Sequence, residues 1–124
     1  FTMKILIVDD SRLVRIKLKA ELFDRGHTVI EARDGEEALR RIADKAPEAV
    51  FLDIILPKLD GREVLRRLRE THPNLPVAML SSAASEENIA FAREHGALMF
   101  IHKPYSDQEI SAALAKMMQS AEAS

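Results

Sequence analysis

The chain has 124 residues, enough for one domain with a real hydrophobic core, and its 47% hydrophobic and 31% charged content is ordinary for a globular protein. A formal net charge of -2 gives no electrostatic case for a nucleic-acid or anionic-membrane partner. The absence of cysteine excludes disulfides, thiol chemistry and thiolate metal sites, and no apolar run approaches the ~20 residues of a membrane-spanning helix.

The N-terminus lacks the basic stretch and long apolar core of a secretion signal, so the expected location is cytoplasmic. Phe1 and Thr2 precede Met3 and read as a cloning scar. Residues 3–120 are expected to form the domain, and residues 121–124 a tail or truncated linker.

Short apolar runs alternate with longer amphipathic ones. Lys4 to Val8 is short, β-branched and apolar, the signature of a strand buried on both faces. Asp9 and Asp10 follow, then Ser11 as an N-cap, then Val14, Leu18 and Leu22 at helical spacing. Gly26 ends that helix. Thr28 to Ala32 is a second strand, and Asp34-Gly35 turns the chain into a helix carrying Ala38, Leu39 and Ile42. Ala49 to Leu52 is a third strand. Pro57 and Gly61 punctuate the loop after it, and Val64, Leu65 and Leu68 mark a third helix. Val77 to Leu80 is a fourth strand, after which Ser85 caps a helix with Glu86 and Glu87 well placed in its first turn. Met99 to His102 is a fifth strand. Ser106-x-x-Glu109 is a capping box opening the last helix, and the small polar residues from Gln119 onward read as a frayed end or linker.

Five β-α units in strict alternation predict a parallel sheet with helices on both faces. Such folds place their sites at the carboxyl ends of the strands. Strand one ends in Asp9-Asp10, strand three in Asp53, strand four in Ser81-Ser82 and strand five in Lys103-Pro104. Three carboxylates, two hydroxyls and an ammonium then converge on one crevice. Clustered carboxylates raise each other's pKa unless compensated, and a divalent cation with a lysine supplies that compensation. Hard oxygen donors suit Mg²⁺. A carboxylate can also act as a nucleophile, forming an aspartyl phosphate, with metal and lysine neutralising the transferring group.

At this point the pattern resembles a known family. Ile5 to Ser11 is similar to the opening of response regulator receiver domains, and Asp53-Ile-Ile-Leu-Pro-Lys-Leu-Asp-Gly61 to their acceptor loop. Ala78 to Ala83 resembles their switch segment, and Lys103-Pro104-Tyr105 their lysine-proline-aromatic turn. The likeness runs from Met3 to Met118, and the four pieces fall in order on predicted strand ends. It implies an α/β fold, a doubly wound (βα)5 sheet of the flavodoxin-like class with strand order 2-1-3-4-5.

The resemblance implies Asp53 as phospho-acceptor. It implies Asp9 and Asp10 as the acid pair, one binding Mg²⁺ directly and the other through water, and Ile55 as the residue whose backbone carbonyl completes the metal site. Ser81 stands where the family has a hydroxyl for the phosphoryl oxygens, with Ser82 as the fallback. Lys103 stands at the pairing lysine and Phe100 at the switch aromatic, although Phe100 could equally be core. Ile55 and Ala83 occupy the two positions that tune hydrolysis of the phosphoryl group. The implied function is a two-component signalling switch rather than an enzyme. It would take phosphate from a sensor histidine kinase or phosphotransfer protein. Its helix 4–strand 5–helix 5 face would then act on a downstream protein or fused output domain.

Other readings of the same residues remain. Asp60-Gly61 reads as a turn and helix start, not a ligand. His27, His72, His95 and His102 read as surface or edge residues. An aspartate-based phosphohydrolase would carry a D-x-D spacing that Asp53-Ile-Ile lacks, and a nucleotide-binding domain would carry a glycine-rich loop where this chain has Asp-Asp-Ser. A docking receiver that works unphosphorylated is the last alternative. Neither cognate kinase nor output is legible. A stand-alone receiver is expected over a fragment of a longer regulator. Gly96 to Phe100 lacks the acidic stretch associated with dimerising winged-helix regulators.

Overall fold

The structure, a computed structural model, describes the backbone of residues 1–123 and the side chains of residues 1–121. The end of the expected 121–124 tail lies outside the described residues. Ten elements alternate along the chain: β1 (Lys4–Val8), α1 (Arg12–Asp24), β2 (Thr28–Ala32), α2 (Gly35–Lys45), β3 (Ala49–Leu52), α3 (Gly61–Thr71), β4 (Val77–Ser81), α4 (Glu86–Glu94), β5 (Met99–His102) and α5 (Asp107–Ala123). The strands pair in parallel in the order β2-β1-β3-β4-β5, as the alternation and the family likeness predict.

The period of two along each strand divides the core. Ile5 and Ile7 of β1 face α1 and α5, joining Leu18, Leu22, Phe51 and Met117 in one buried cluster. Leu6 and Val8 face the other way, against Ile42, Leu65, Leu68 and Met79 from α2, α3 and β4. A sheet buried on both faces needs apolar residues at consecutive positions, which is why β1 and β3 show no polar alternation. Fully burying each such side chain contributes about 1.5–3 kcal/mol. Truncating Leu18 or Leu65 to Ala would cost about 2–5 kcal/mol, since both are sealed from solvent and the cavity cannot close fully.

The helix starts follow the local chemistry. Ser11 accepts from the Val14 N–H, Asp34 from Glu37 and Ser85 from Asn88, each satisfying an orphan amide of the first turn. The capping box at α5 closes both ways: Ser106 N–H donates to Glu109 Oε1 at 3.0 Å and Glu109 N–H to Ser106 Oγ at 3.2 Å. Gly26 follows α1 at a φ of 89°, the left-handed position that terminates a helix cheaply only with glycine.

Four expectations shift. The fourth strand includes Ser81. Val14 is only half-buried, because the sheet-facing side of α1 is filled by Leu18 and Leu22. The last helix runs past Gln119 to Ala123, helix formation there being favoured by small, unbranched residues. His27 is not a surface residue: it is 3% exposed, and its Nδ1 accepts the Met3 N–H at 3.1 Å. A buried amide at the start of β1 needs an acceptor, and the imidazole supplies it. Burial, then the N-terminal ammonium and Arg25, hold its pKa below the usual histidine value.

Candidate functional site

Parallel pairing brings the strand ends to one edge, as the register requires. Val8 lies opposite Leu52, so the residues that follow them, Asp9 and Asp53, emerge side by side, and the Asp53 N–H donates to the Val8 carbonyl at 3.0 Å. Ser81 lies opposite His102, so Lys103 leaves β5 one step beyond, and its N–H donates to the Ser81 carbonyl at 3.1 Å.

The side chains then close the gap. Lys103 Nζ donates to Asp53 Oδ2 at 2.9 Å and also to Asp9 Oδ2. Asp9 Oδ1 accepts the Ser11 N–H at 2.9 Å, and Asp53 Oδ1 accepts the Ile54 N–H at 2.7 Å. Asp9 and Asp53 are buried, at 2% and 6% exposure, while Asp10 is exposed. Carboxylate oxygens of Asp9, Asp10 and Asp53 lie within 4.8 Å of one another, the group of acidic ligands that could hold a metal among the described residues. Arg15 braces the turn from below, its Nη1 donating to the Asp9 carbonyl at 2.7 Å.

The electrostatics are those of a site with negative charge to spare. Burial raises the Asp9 pKa and neighbouring Asp53 adds to this, even against the lowering by Lys103 and the Ser11 amide. For Lys103, burial opposes its charge, but the hydrogen bonds to Asp9 and Asp53 prevail and raise its pKa. Three carboxylates face one ammonium. The remaining negative charge, presented by hard oxygen donors at the carboxyl edge of the sheet, fits a divalent cation of the Mg²⁺ kind.

The other residues singled out from the sequence fall as follows. Ser81 is fully buried, and its Oγ accepts the Ala83 N–H at 3.1 Å rather than touching the carboxylates; Ser82 is exposed. Phe100 is half-buried and packs against the α2–α4 side of the core. Ile55 is 60% exposed, so its side chain stands in solvent at the rim. Asp60 caps α3 by accepting from the Arg62 N–H at 2.9 Å, as its turn reading predicts. Sequence reasoning missed the part played by Gly61. A Cβ there would lie 1.9 Å from the Asp53 carbonyl oxygen, so the first turn of α3 rests on the backbone of Asp53. The signal was present: a glycine at the first position of a helix, where nothing in the helix itself asks for one, marks a close backbone approach.

Residues 5–115 match the model of the response regulator receiver domain family. The chain is 38% identical over 118 residues to the response regulator MprA of Mycobacterium ulcerans (strain Agy99), an alignment covering 95% of this chain and 51% of that protein. It thus spans about half the length of the curated relatives it matches. Among solved structures, it is similar to a CheY-like response regulator receiver domain protein of Methanospirillum hungatei JF-1, with a TM-score of 0.94, 27% identity and full coverage of both chains. It is also similar to NtrX of Brucella abortus, with a TM-score of 0.89 and 37% identity over 98% of this chain and 28% of that one. Proteins of this family work with histidine kinases and output domains. With its five-stranded parallel sheet, its acid cluster and its bridging lysine, this chain belongs to the response regulator receiver domain family, the signalling switches of two-component systems.

Proposed function

We propose that this domain accepts a phosphoryl group on Asp53 and that Asp9, Asp10, Asp53 and the backbone carbonyl of Ile55 would hold Mg²⁺ for that step. The observation that carries this reading is the lysine bridge. Lys103 Nζ is bonded to both Asp9 and Asp53, so a cation already stands where negative charge would build up on a transferring phosphoryl group. A Asp53 carboxylate oxygen forms the new bond to phosphorus while the P–N bond of a phosphohistidine donor, or the P–O bond of an acyl phosphate, breaks. The departing imidazole takes up a proton, and the departing carboxylate needs none. Bound Mg²⁺ would withdraw charge from the phosphoryl oxygens. Lys103 holds the acceptor carboxylate in place and pairs with the incoming group. Ser81, buried at the end of β4, is the hydroxyl that would bond a phosphoryl oxygen, and Phe100 would repack behind it.

On this reading the unit is residues 3–120, the donor is a sensor histidine kinase or phosphotransfer protein, and the work is done in the cytoplasm. The response is a population shift of the α4–β5–α5 face toward a downstream protein or fused output domain. Incubation with acetyl phosphate and Mg²⁺, followed by intact-mass analysis, tests it. Wild type gains one phosphoryl group and Asp53→Asn gains none. Equal phosphate on both proteins refutes the assignment.

A further inference from the structure

The Ser81 hydroxyl does not stand alone in the structure. It accepts the Ala83 N–H at 3.1 Å. The carbonyl of the same Ala83 accepts from Asn88 Nδ2 at 3.0 Å. Asn88 sits in the first turn of α4, its own N–H held by Ser85 Oγ, and its Oδ1 accepts from Arg62 Nη1 at 3.3 Å. Arg62 also reaches Glu87 at 3.1 Å, and its guanidinium lies 4.3 Å from the centre of the Phe91 ring. Phe91 in turn stacks on His95 with centroids 4.0 Å apart.

The other end of this chain of contacts is fixed. Arg62 is the second residue of α3, next to Gly61, whose N–H donates to the Ile54 carbonyl at 2.8 Å and whose Cα rests on the Asp53 backbone. One arginine therefore ties the floor under Asp53 to the turn that carries Ser81 and to the outer face of α4. The Arg62–Glu87 ion pair is open to water and contributes little. The side-chain amide of Asn88 and the ring of Phe91 are half-buried, so the bonds and stacking around them are the stronger part.

We propose that Asn88 and Arg62 form a latch holding the β4–α4 turn in the arrangement in which Ser81 Oγ faces the Ala83 amide, and that the latch opposes phosphorylation until it opens. This rests on the roles given to Asp53 and Ser81 above. Drawing Ser81 toward a phosphoryl group must either break its bond to Ala83 or drag Ala83 along. The second route pulls on Asn88 and with it α4. A contact made only in the resting arrangement biases the equilibrium toward rest, so a smaller fraction of the protein is competent to accept phosphate at any moment. Asn88 and Arg62 are positioning residues; neither touches the acid cluster in the structure.

Amide hydrogen exchange on the unphosphorylated protein reads the latch without any phosphodonor. Asn88→Ala should speed exchange over residues 82–89 by about fivefold, the net worth of roughly one hydrogen bond, while β1 and β3 amides keep their protection. The rate of phosphorylation by acetyl phosphate should rise by a similar factor, a gain that mere damage to the fold does not produce. Arg62→Ala should change both in the same direction by less. Exchange that is unchanged, exchange that rises throughout the sheet, or local loosening with a slower or unchanged phosphorylation rate would each overturn the latch. Failure of wild type to take up phosphate at all would instead count against the assignment of Asp53, and the exchange result would still decide whether Asn88 holds the turn.

Discussion

Gly61→Ala is the substitution through which this fold should expose the link between packing and the acceptor site. The added methyl would stand 1.9 Å from the Asp53 carbonyl oxygen and 2.8 Å from both the Asp53 carbonyl carbon and the Ile54 Cα. Every one of these atoms is backbone, so no rotamer can relieve the clash. Reaching an ordinary contact of 3.4 Å from 1.9 Å requires about 1.5 Å of movement between α3 and the end of β3. Overpacking of this kind costs about 1–3 kcal/mol, and the upper end applies when the neighbours are rigid. A chain of this length melts about 4 °C lower for each kcal/mol, so a loss of about 12 °C is expected. The same movement displaces the Asp53 carboxylate. A misplacement of about 1 Å at a reacting group can cost about 10²-fold in rate. Gly26→Ala is the control: nothing lies within 4 Å of its Cβ, so only the strain of a φ of 89° remains, about 1 kcal/mol. Thermal melts and acetyl phosphate labelling of the two variants should therefore diverge, Gly61→Ala losing both stability and labelling and Gly26→Ala losing a little stability alone. Wild-type labelling and melting in Gly61→Ala would show that α3 does not rest on the Asp53 backbone, as would identical behaviour of the two glycine variants.

Lys103→Met leaves two buried carboxylates without their ammonium and should cost about 3 kcal/mol in denaturant unfolding. Added Mg²⁺ should recover part of that loss, and a deficit indifferent to Mg²⁺ would contradict the charge-compensation reading. His27 has its folded pKa below the value of 6.5 expected for an exposed histidine, so the unfolded chain binds the proton first on acidification. Its contribution is complete above about pH 6.5 and is lost as pH falls toward the folded value. His27→Phe should flatten that limb of the stability–pH curve and cost about 1–3 kcal/mol at neutral pH by orphaning the Met3 amide; an unaltered slope would rule out His27 as its source. The phosphorylated state should also be long-lived, because hydrolysis needs an oriented water and neither Ile55 nor Ala83 can hydrogen-bond one through its side chain. Ile55→Asn and Ala83→Glu should each accelerate loss of phosphate in Mg²⁺ by about 10²-fold or more, and a wild type that already decays as fast as these variants would show the positions to be irrelevant.

The elements and the positions of the chemistry are legible in the sequence because both are written in local patterns. Strand identity in Lys4–Val8 and Ala49–Leu52 follows from unbroken apolar runs. The starts of α1, α4 and α5 follow from Ser11, Ser85 and the Ser106–Glu109 pair, whose bonds span three residues. The placing of Asp9, Asp53 and Lys103 at strand ends needs only the period of the chain and the rule that parallel sheets gather their carboxyl ends at one edge. Tertiary structure alone decided how those residues meet. Lys103 reaches Asp9 across 94 residues and Asp53 across 50, distances set by strand order and register rather than by any local motif. The amide that His27 accepts belongs to Met3, 24 residues away in the chain. Gly61 looked like a turn residue because its reason, the Asp53 backbone beneath it, belongs to another element. The orientation of Ser81 was likewise hidden, since a hydroxyl takes its rotamer from the donors around it, and here the nearest is the Ala83 amide that Asn88 helps to hold.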